Sequence, residues 1–372
     1  MNGDKDKGIF LKTITDKLFE FAPTSMAESW DNVGILVEPS NECLVSNILL
    51  TNDLTEDVMD EALEISANLI ISYHPPIFTS LKRITNSNWK ERIIARCIVN
   101  NIAIFSPHTS WDVVQGGVND WLANAFEYEE VKPLTIQKSN AIKSKYTLTV
   151  ESTDDNLFIK IGETYARSFL EMDLKILMVE KSTSTSMSTK FTVEGTEEIL
   201  KKIVPMLQQN VSVLCYYINP QYTIGDEVSG VGRICKLKTP ITIMEAVKKL
   251  KKYIGISFVQ LALARKVTPD HLIKTIAFVA GSGGSLLKNT YCDLKITGEA
   301  SHHDILDSIH NGSSVILTNH SNSERGFLLE FKKILTSKLN NPNVQIIVSS
   351  TDSDPLKILQ ALKIKSTVEF SH

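Results

Sequence analysis

The chain of 372 residues is long enough for two or three domains and has a formal net charge of −4 at pH 7. Hydrophobic residues make up 42% and charged residues 22%, the balance of an ordinary globular protein. The acidic balance gives no electrostatic reason to expect nucleic acid or an anionic membrane surface as a partner. No apolar run approaches the roughly 20 residues of a membrane span, so we expect no membrane association.

The cysteines are odd in number, scattered, and form no CxxC pair. They are Cys43, Cys97, Cys215, Cys235 and Cys292. This pattern favours reduced thiols and excludes a cysteine-based zinc site. Residues 1–7 lack the apolar core of a signal peptide. We therefore expect a cytoplasmic protein, with the nucleus as a second compartment.

The first third of the chain alternates between short apolar runs and helical patterns. A helix is predicted over 8–21 and a strand after the polar turn at 30–33. Strands are then predicted at 47–51, 68–72 and 101–105, alternating with helices at 55–66, 88–99 and 117–126. Such alternation predicts an α/β fold with a largely parallel sheet covered by helices. In such sheets, ligands bind beyond the carboxyl ends of the strands.

Polar side chains follow three of these predicted strands. The first strand is followed by Asn52-Asp53, the second by Tyr73-His74 and two prolines, and the third by a segment from His108 to Asp112. Each residue alone is typical of a polar turn or a helix cap. Their recurrence at three strand ends favours a shared site. No glycine-rich phosphate loop follows these strands, which disfavours a nucleotide cradle.

A change of composition separates the middle of the chain from its two ends. Residues 138–227 are rich in Lys, Ser and Thr, contain no His, and combine strand-like runs with helical patches near 156–169 and 195–208. They predict a small inserted α+β domain with a packing or assembly role. The flanking segments, 1–137 and 228–372, share the α/β pattern and form the predicted core.

The strongest candidate site residues lie near the C-terminal end, after the apolar run 315–317. His320 and Glu324 are four residues apart and would share one face of a helix. An imidazole nitrogen and a carboxylate presented in this way can bind one divalent metal ion. Taken alone, a solvated helix pair is the commoner interpretation. The polar ends of the other predicted strands favour the metal interpretation.

A second polar strand end carries Glu299, followed by His302 and His303. Adjacent histidines on a helix point about 100° apart, so at most one of them faces a given site. One hypothesis makes Glu299 and one histidine a proton shuttle, or the group that holds a metal-binding His. The alternative is an exposed helix start capped by Ser301.

Six motifs occur in an order that resembles a known family. They are Ser29-Trp30-Asp31-Asn32-Val33-Gly34, Tyr73-His74-Pro75-Pro76-Ile77-Phe78, His108-Thr109-Ser110-Trp111-Asp112, Gly281-Ser282-Gly283, Thr297-Gly298-Glu299 and His320-Ser321-Asn322-Ser323-Glu324-Arg325-Gly326. Together they resemble the NIF-three-like family, also called GTP cyclohydrolase I type 2. The match covers residues 8–135 and 228–372, and the middle segment looks like the PII-like domain that some members insert.

The resemblance implies two similar α/β halves with helix-covered sheets, and a dinuclear metal centre in the cleft between them. It also implies a homo-oligomer, often a toroidal hexamer. The implied ligands are His74, Asp112, His320 and Glu324, holding up to two Zn, Mn or Fe ions per chain. Either carboxylate can bridge two cations. Bacterial-type members carry two adjacent histidines where this chain has Tyr73-His74, which predicts weak or absent binding of one ion.

Two functions are compatible with the sequence. The first is a metal-dependent hydrolase of unknown, nucleotide-like substrate, in which Glu299 with His302 or His303 handles protons. Nothing in the sequence recognises a guanine base or holds a triphosphate. The alternative, from the resemblance to eukaryotic members, is an oligomeric scaffold that binds transcriptional regulators and keeps a structural or vestigial metal site. Direct nucleic-acid binding fits neither hypothesis.

Overall fold

The computed structural model describes residues 8–41, 43–136, 146–154, 156–157, 175–181, 188–195, 197–220 and 229–358. The chain divides into two compact units, one formed by Met1–Gln137 with Glu227–His372 and the other by Lys138–Asp226. The fold is of the mixed α/β class that the sequence predicts. That the three sequence segments are separate domains, and that the middle one is PII-like, stays a prediction.

The first sheet of the larger unit has five strands, in the order β19-β4-β5-β6-β2. Its strands are β2 (Gly34–Val37), β4 (Asn47–Thr51), β5 (Leu69–Ser72), β6 (Ala103–Ser106) and β19 (Gln345–Val348). All are parallel except β2, which pairs antiparallel with β6. The predicted parallel sheet is therefore confirmed. The carboxyl ends of its parallel strands meet at one edge, and His74 follows β5 there.

Alternate residues of these strands face two separate cores, because side chains along a strand point to opposite faces. Ile48 and Leu50 pack with helices α1 (Leu11–Phe21) and α10 (Phe327–Leu339), whereas Leu49 faces α2 (Glu56–Glu64) and α3 (Trp89–Val99). The Thr55 and Asn88 side chains cap α2 and α3, where they accept hydrogen bonds from backbone N–H groups.

The second sheet has six strands, in the order β15-β18-β17-β16-β14-β7. They are β7 (Tyr128–Lys132), β14 (Arg233–Thr242), β15 (Gln260–Ala262), β16 (Leu272–Ser282), β17 (Leu294–Glu299) and β18 (Ser314–Leu317). The central strands β16, β17 and β18 are parallel to one another. Helix α7 (Ile243–Ile254) follows β14 and begins with a capping box formed by Thr242 and Glu245.

Each of the two sheets contains one edge strand from the sequence segment that forms most of the other sheet. Strand β19, from the C-terminal segment, adds to the first sheet beside β4, while β7, from the N-terminal segment, adds to the second sheet beside β14. One apolar core of buried residues runs from α1 to β16 and α10 as a result. Each sheet therefore has one edge strand from the other sequence half.

Short elements connect these sheets and shape the site. They are β1 (Ile9–Phe10), β3 (Leu44–Val45), β8 (Thr135–Ile136), β13 (Gly230–Val231), α4 (Thr109–Val113), α5 (Val118–Ala123), α8 (Gly284–Leu287), α9 (His302–His310) and the 3₁₀ turns Thr24–Met26 and Ser321–Ser323.

The smaller unit contains an antiparallel sheet in the order β10-β11-β9-β12. Its elements are β9 (Tyr146–Ser152), β10 (Lys175–Lys181), β11 (Thr189–Gly195), α6 (Glu197–Gln209) and β12 (Val213–Pro220). Leu148, Val150 and Phe191 form its core with Leu200 and Ile203 of α6. Most of the helical patch predicted at 156–169 lies outside the described residues. Every helix in the described part of the chain is too short or too polar to reach across a bilayer.

Candidate metal centre

Three side chains from distant parts of the larger unit meet beyond the carboxyl ends of the two sheets. His74 follows β5, and His320 and Glu324 follow β18. One ligand atom from each lies within 4.8 Å of those of the other two. His74 Nε2 is 3.4 Å from Glu324 Oε2, and His320 Nε2 is 3.4 Å from Glu324 Oε1. The Glu324 carboxylate therefore lies between the two imidazoles.

The spacing predicts that His320 and Glu324 share a helix face, but neither residue is part of an α-helix. They flank the 3₁₀ turn Ser321–Ser323, and α10 begins only at Phe327. Polar side chains of the turn bind nearby backbone groups: Ser323 Oγ donates to the His320 carbonyl at 2.6 Å and accepts from Gly281 N at 2.7 Å. Such bonds compete with the helical pattern, which explains the difference. The side chains of His320 and Glu324 still face each other.

A carboxylate holds the outer nitrogen of each imidazole. Asp53 Oδ1 is 2.9 Å from His74 Nδ1, and Glu299 Oε2 is 3.1 Å from His320 Nδ1. Both Nε2 atoms are thereby turned toward Glu324. Carboxylate–histidine pairs of this kind fix ring orientation and tautomer at metal sites. In the sequence, Asp53 is recognisable only as a polar residue after a strand, and no pattern there indicates this contact.

Asn52 was also missed as a site residue. It is fully buried, and its Nδ2 donates to Glu324 Oε2 at 3.2 Å. Its backbone N–H donates to Asp352 Oδ2 at 2.7 Å, and the same oxygen is 3.2 Å from Arg325 Nε. The polar end of β4 was the only signal for Asn52. Asp352 is separated from it by 300 residues and gave none.

The electrostatics of this cluster favour a cation. Burial lowers the pKa of His74, but the negative charge of Glu324 and the hydrogen bond with Asp53 outweigh burial and raise it to about 10. A proton thus balances the carboxylates when no other cation does. Two imidazoles and a carboxylate are also the donor set of many zinc, manganese and iron sites. The residues therefore fit a divalent ion.

Asp112 lies beside this cluster and is bound by Tyr73. Tyr73 Oη donates a hydrogen bond of 2.5 Å to Asp112 Oδ1. Burial raises the pKa of Asp112 to about 6, and the charge of Glu324 adds to the increase. Burial, followed by the charge of Asp112, raises the pKa of Tyr73 well above its usual range. The phenol keeps its proton and is a poor metal ligand.

A model of the family described as Duf34/NIF3 (NGG1p interacting factor 3) matches residues 9–355. The chain belongs to this family. It is 38% identical over 359 residues to NIF3-like protein 1 of Bos taurus, covering 94% of this chain and 92% of the relative. It is 29% identical over 361 residues to NGG1-interacting factor 3 of Saccharomyces cerevisiae, covering 94% and 96%. The predicted resemblance is therefore confirmed.

Solved structures of the NIF3 family share the fold. A Bacillus cereus protein related to NIF3 matches with a TM-score of 0.69 at 22% identity, covering 95% of this chain and 100% of that one. At this identity the likeness supports the α/β architecture alone.

The predicted site residues of this NIF3 family chain separate into two groups. His320, Glu324 and Asp112 line one cavity of about 480 Å³, together with Tyr73, and His74 approaches Glu324 beside it. Glu299 reaches this group through His320. His302 and His303 do not line that cavity; both are exposed on the first turn of α9 and their rings contact each other at 5.6 Å. Ser301 caps this helix, as the structural alternative for this segment predicts. The ligand and proton-transfer roles of all these residues stay predictions.

Proposed function

We propose that this chain is a metal-dependent hydrolase that binds a divalent ion through His74, His320 and Glu324. The observation that carries the proposal is the convergence of three ligand atoms within 4.8 Å, two of them from residues that line a cavity. Zn, Mn and Fe suit these donors comparably. A nucleotide-like substrate stays a prediction.

A divalent ion would act as a Lewis acid, polarising a substrate oxygen and lowering the pKa of water to near 7. The chain's own residues would prepare the site for that chemistry. Asp53 and Glu299 orient the two imidazoles, and Asn52 holds one oxygen of Glu324. Glu299 has a side chain that is 54% exposed, so it can exchange a proton with solvent while it contacts His320. We assign proton handling to Glu299; assistance by His302 or His303 stays a prediction.

The dinuclear centre that the family resemblance implies would use Asp112 as a further ligand. Asp112 accepts a hydrogen bond from Tyr73, and the buried Tyr73 phenol keeps its proton and so offers a second ion no good ligand. We therefore propose that the first ion binds firmly and that the second binds weakly or is absent.

Metal content per subunit, measured by mass spectrometry on untagged protein, tests this proposal. We expect close to one ion per chain in the wild type and less than a tenth of that in His320→Ala and Glu324→Ala. His310→Ala is a matched control, because His310 is exposed on α9 and its Nδ1 contacts the Leu306 carbonyl. Metal-dependent cleavage of p-nitrophenyl phosphate and bis-p-nitrophenyl phosphate should follow the same pattern and disappear with a chelator. No metal above background, even after addition of Zn²⁺ or Mn²⁺, would refute the proposal.

A second candidate function is an oligomeric scaffold for a transcriptional regulator. It is supported by the name of the yeast relative, which describes that protein as an NGG1-interacting factor. Under this proposal the metal site is structural or vestigial, and the chain acts in the nucleus as well as the cytoplasm. A homo-oligomer, with the hexamer as the predicted form, would be the binding unit.

Glu299→Ala separates the two candidates. A hydrolase loses metal-dependent turnover in this variant, by at least about 100-fold if Glu299 transfers a proton. A scaffold keeps its assembled mass in light scattering and its affinity for purified NGG1, because neither depends on proton transfer. Unchanged turnover would remove Glu299 from the mechanism, and absence of NGG1 binding would remove the scaffold proposal.

A further inference from the structure

Two large aromatic side chains are exposed beside the candidate metal centre. The Trp30 side chain lines the cavity and is 59% exposed, and Phe78 is 45% exposed. Their ring centroids are 5.9 Å apart in an edge-to-face arrangement. The His108 ring lies 6.1 Å from Trp30 and 6.3 Å from Phe78. The three rings form an aromatic rim at the edge of the cavity.

Hydrogen bonds of the two residues that follow Trp30 fix the backbone there. The fold therefore holds the Trp30 side chain at the surface. Asp31 accepts hydrogen bonds from Thr109 N at 3.1 Å and Thr109 Oγ1 at 2.5 Å, and its Oδ1 is 2.7 Å from His108 Nδ1. Asn32 Nδ2 donates to the Ile77 carbonyl at 2.5 Å. The two residues after Trp30 thus fasten it to the segments that carry His108 and Phe78. A large apolar ring held at the surface by partly buried polar contacts is typical of a binding surface.

The charge of the cavity restricts what can bind beside this rim. Glu28, Asp112 and Glu324 bring carboxylates to its wall, and no Lys or Arg occurs among the described residues that line it. A triphosphate would find no Lys or Arg side chain there to bind its phosphates. The volume of about 480 Å³ lies in the range of small-molecule sites.

We infer that the cavity binds a neutral planar heteroaromatic compound, a nucleobase or nucleoside, whose ring stacks on Trp30. Stacking on an aromatic side chain accepts any flat π-face and needs no charge on the ligand. This inference rests on the proposed hydrolase function, because it names the substrate class of the same site. It disfavours nucleoside triphosphates, because no Lys or Arg among the described lining residues would hold the three phosphates.

Equilibrium dialysis of the full chain with adenosine, cytidine, ATP and ribose tests the inference. Each probe is measured on chelator-treated and on Mn²⁺-loaded protein. We expect the nucleosides to bind both forms, with ribose much weaker, and ATP weaker than adenosine to the chelator-treated form. Trp30→Ala should weaken adenosine binding about 10-fold, whereas Trp30→Phe keeps most of it. Trp89→Ala is the matched control, since Trp89 is 42% exposed but belongs to α3 and does not line the cavity.

Several outcomes would overturn the inference. They are unchanged adenosine binding in Trp30→Ala, ATP binding as tight as adenosine to the chelator-treated form, equal binding of ribose, and no binding of either nucleoside. A drop in the assembled mass of Trp30→Ala, with unchanged adenosine affinity, would instead show that Trp30 packs against a second copy of the chain. Metal content is measured separately on the same samples, so a failure of the metal proposal is distinguishable from a failure of this one.

Discussion

Tyr73 and Asp112 form a hydrogen bond with each other at the wall of the candidate metal centre. The phenol donates a hydrogen bond of 2.5 Å to the carboxylate, and both groups have a raised pKa, mainly because they are buried. By the family resemblance drawn from the sequence, Tyr73 is expected to replace one of the two adjacent histidines of bacterial-type members. In this chain Tyr73 binds the Asp112 carboxylate instead.

Tyr73→His should raise the metal content from close to one to close to two ions per chain. The substitution removes the donor that occupies Asp112 and adds an imidazole, which is a far better ligand than a protonated phenol. Mass spectrometry of the untagged protein after dialysis against Mn²⁺ or Zn²⁺ gives the stoichiometry directly.

The control is Tyr73→Phe, which removes the hydrogen bond but adds no ligand. We expect its metal content to stay close to one ion. The Asp112 carboxyl then loses its partner in a partly buried place, so the free energy of unfolding should fall by about 1 kcal/mol. Two ions in the wild type, or one in Tyr73→His, would contradict the role given to Tyr73.

Asp53→Ala should weaken binding of the ion at His74 about 10- to 100-fold. Without Asp53, the His74 ring loses the contact of 2.9 Å that turns its Nε2 toward Glu324. Loss of such a partner typically costs this much affinity. Titration calorimetry with Zn²⁺ on chelator-treated protein measures the change. Asp57→Ala is the control, because Asp57 is exposed on α2; equal affinities of the two variants would show that Asp53 does not support the site.

The convergence of the site could be anticipated from the sequence because it depends on regular structure. Parallel strands of one sheet bring their carboxyl ends to one edge, so polar residues after 47–51 and 68–72 had to approach one another. The strand at 315–317 belongs to the second sheet, and the sequence gives no rule for how that sheet lies beside the first. The four-residue spacing of His320 and Glu324 predicted their contact, although a 3₁₀ turn replaced the expected helix. The apolar runs predicted the strands themselves, since nearly all of their residues are buried.

Contacts between segments far apart in sequence could not be anticipated. The bond from Asn52 N to Asp352 spans 300 residues, and β19 joins the first sheet from the end of the described chain. Neither has a local pattern, because both depend on how the chain returns in three dimensions. Arg233 is another case: it is buried and binds Asp120, 113 residues away, with Nε at 2.6 Å from Oδ1. The composition around Arg233 indicates only that the chain re-enters the predicted core after the inserted segment.

Glu61 should make the stability of the folded protein depend on pH in the acid range, because it binds the loop that carries Asp352. Its carboxylate accepts hydrogen bonds from Ser350 N at 2.8 Å and Ser349 Oγ at 2.5 Å. Burial raises its pKa, but these hydrogen bonds outweigh burial and lower the pKa to about 2. Because the folded-state value is depressed, the stabilisation is fully present above the unfolded value near 4.5 and is lost as the pH falls toward 2.

Glu61→Gln should therefore lower the free energy of unfolding by about 1 kcal/mol at pH 7, with little effect near pH 2.5. Urea unfolding at a series of pH values between these limits measures the difference from the wild type. Glu64→Gln removes the same charge from an exposed position of the same helix and should show no such pH dependence. Parallel pH profiles for the wild type and Glu61→Gln would contradict the assignment.

Gly281→Ala should abolish metal binding while leaving the chain folded. Gly281 has a φ of +65°, and a Cβ there would lie inside the van der Waals contact of Glu324 Oε1 and 3.2 Å from His320 Nε2. The added methyl group would displace both ligands or the turn that carries them.

Gly255 provides a matched control, because it has a φ of +76° but a Cβ there would meet nothing within 4 Å. Both variants should lose about 1 kcal/mol of unfolding free energy from backbone strain, and only Gly281→Ala should lose the ion. Equal loss of metal in both variants would mean that strain, and not the contact with Glu324 and His320, decides the outcome. Full metal content in Gly281→Ala would place the ion away from these two residues.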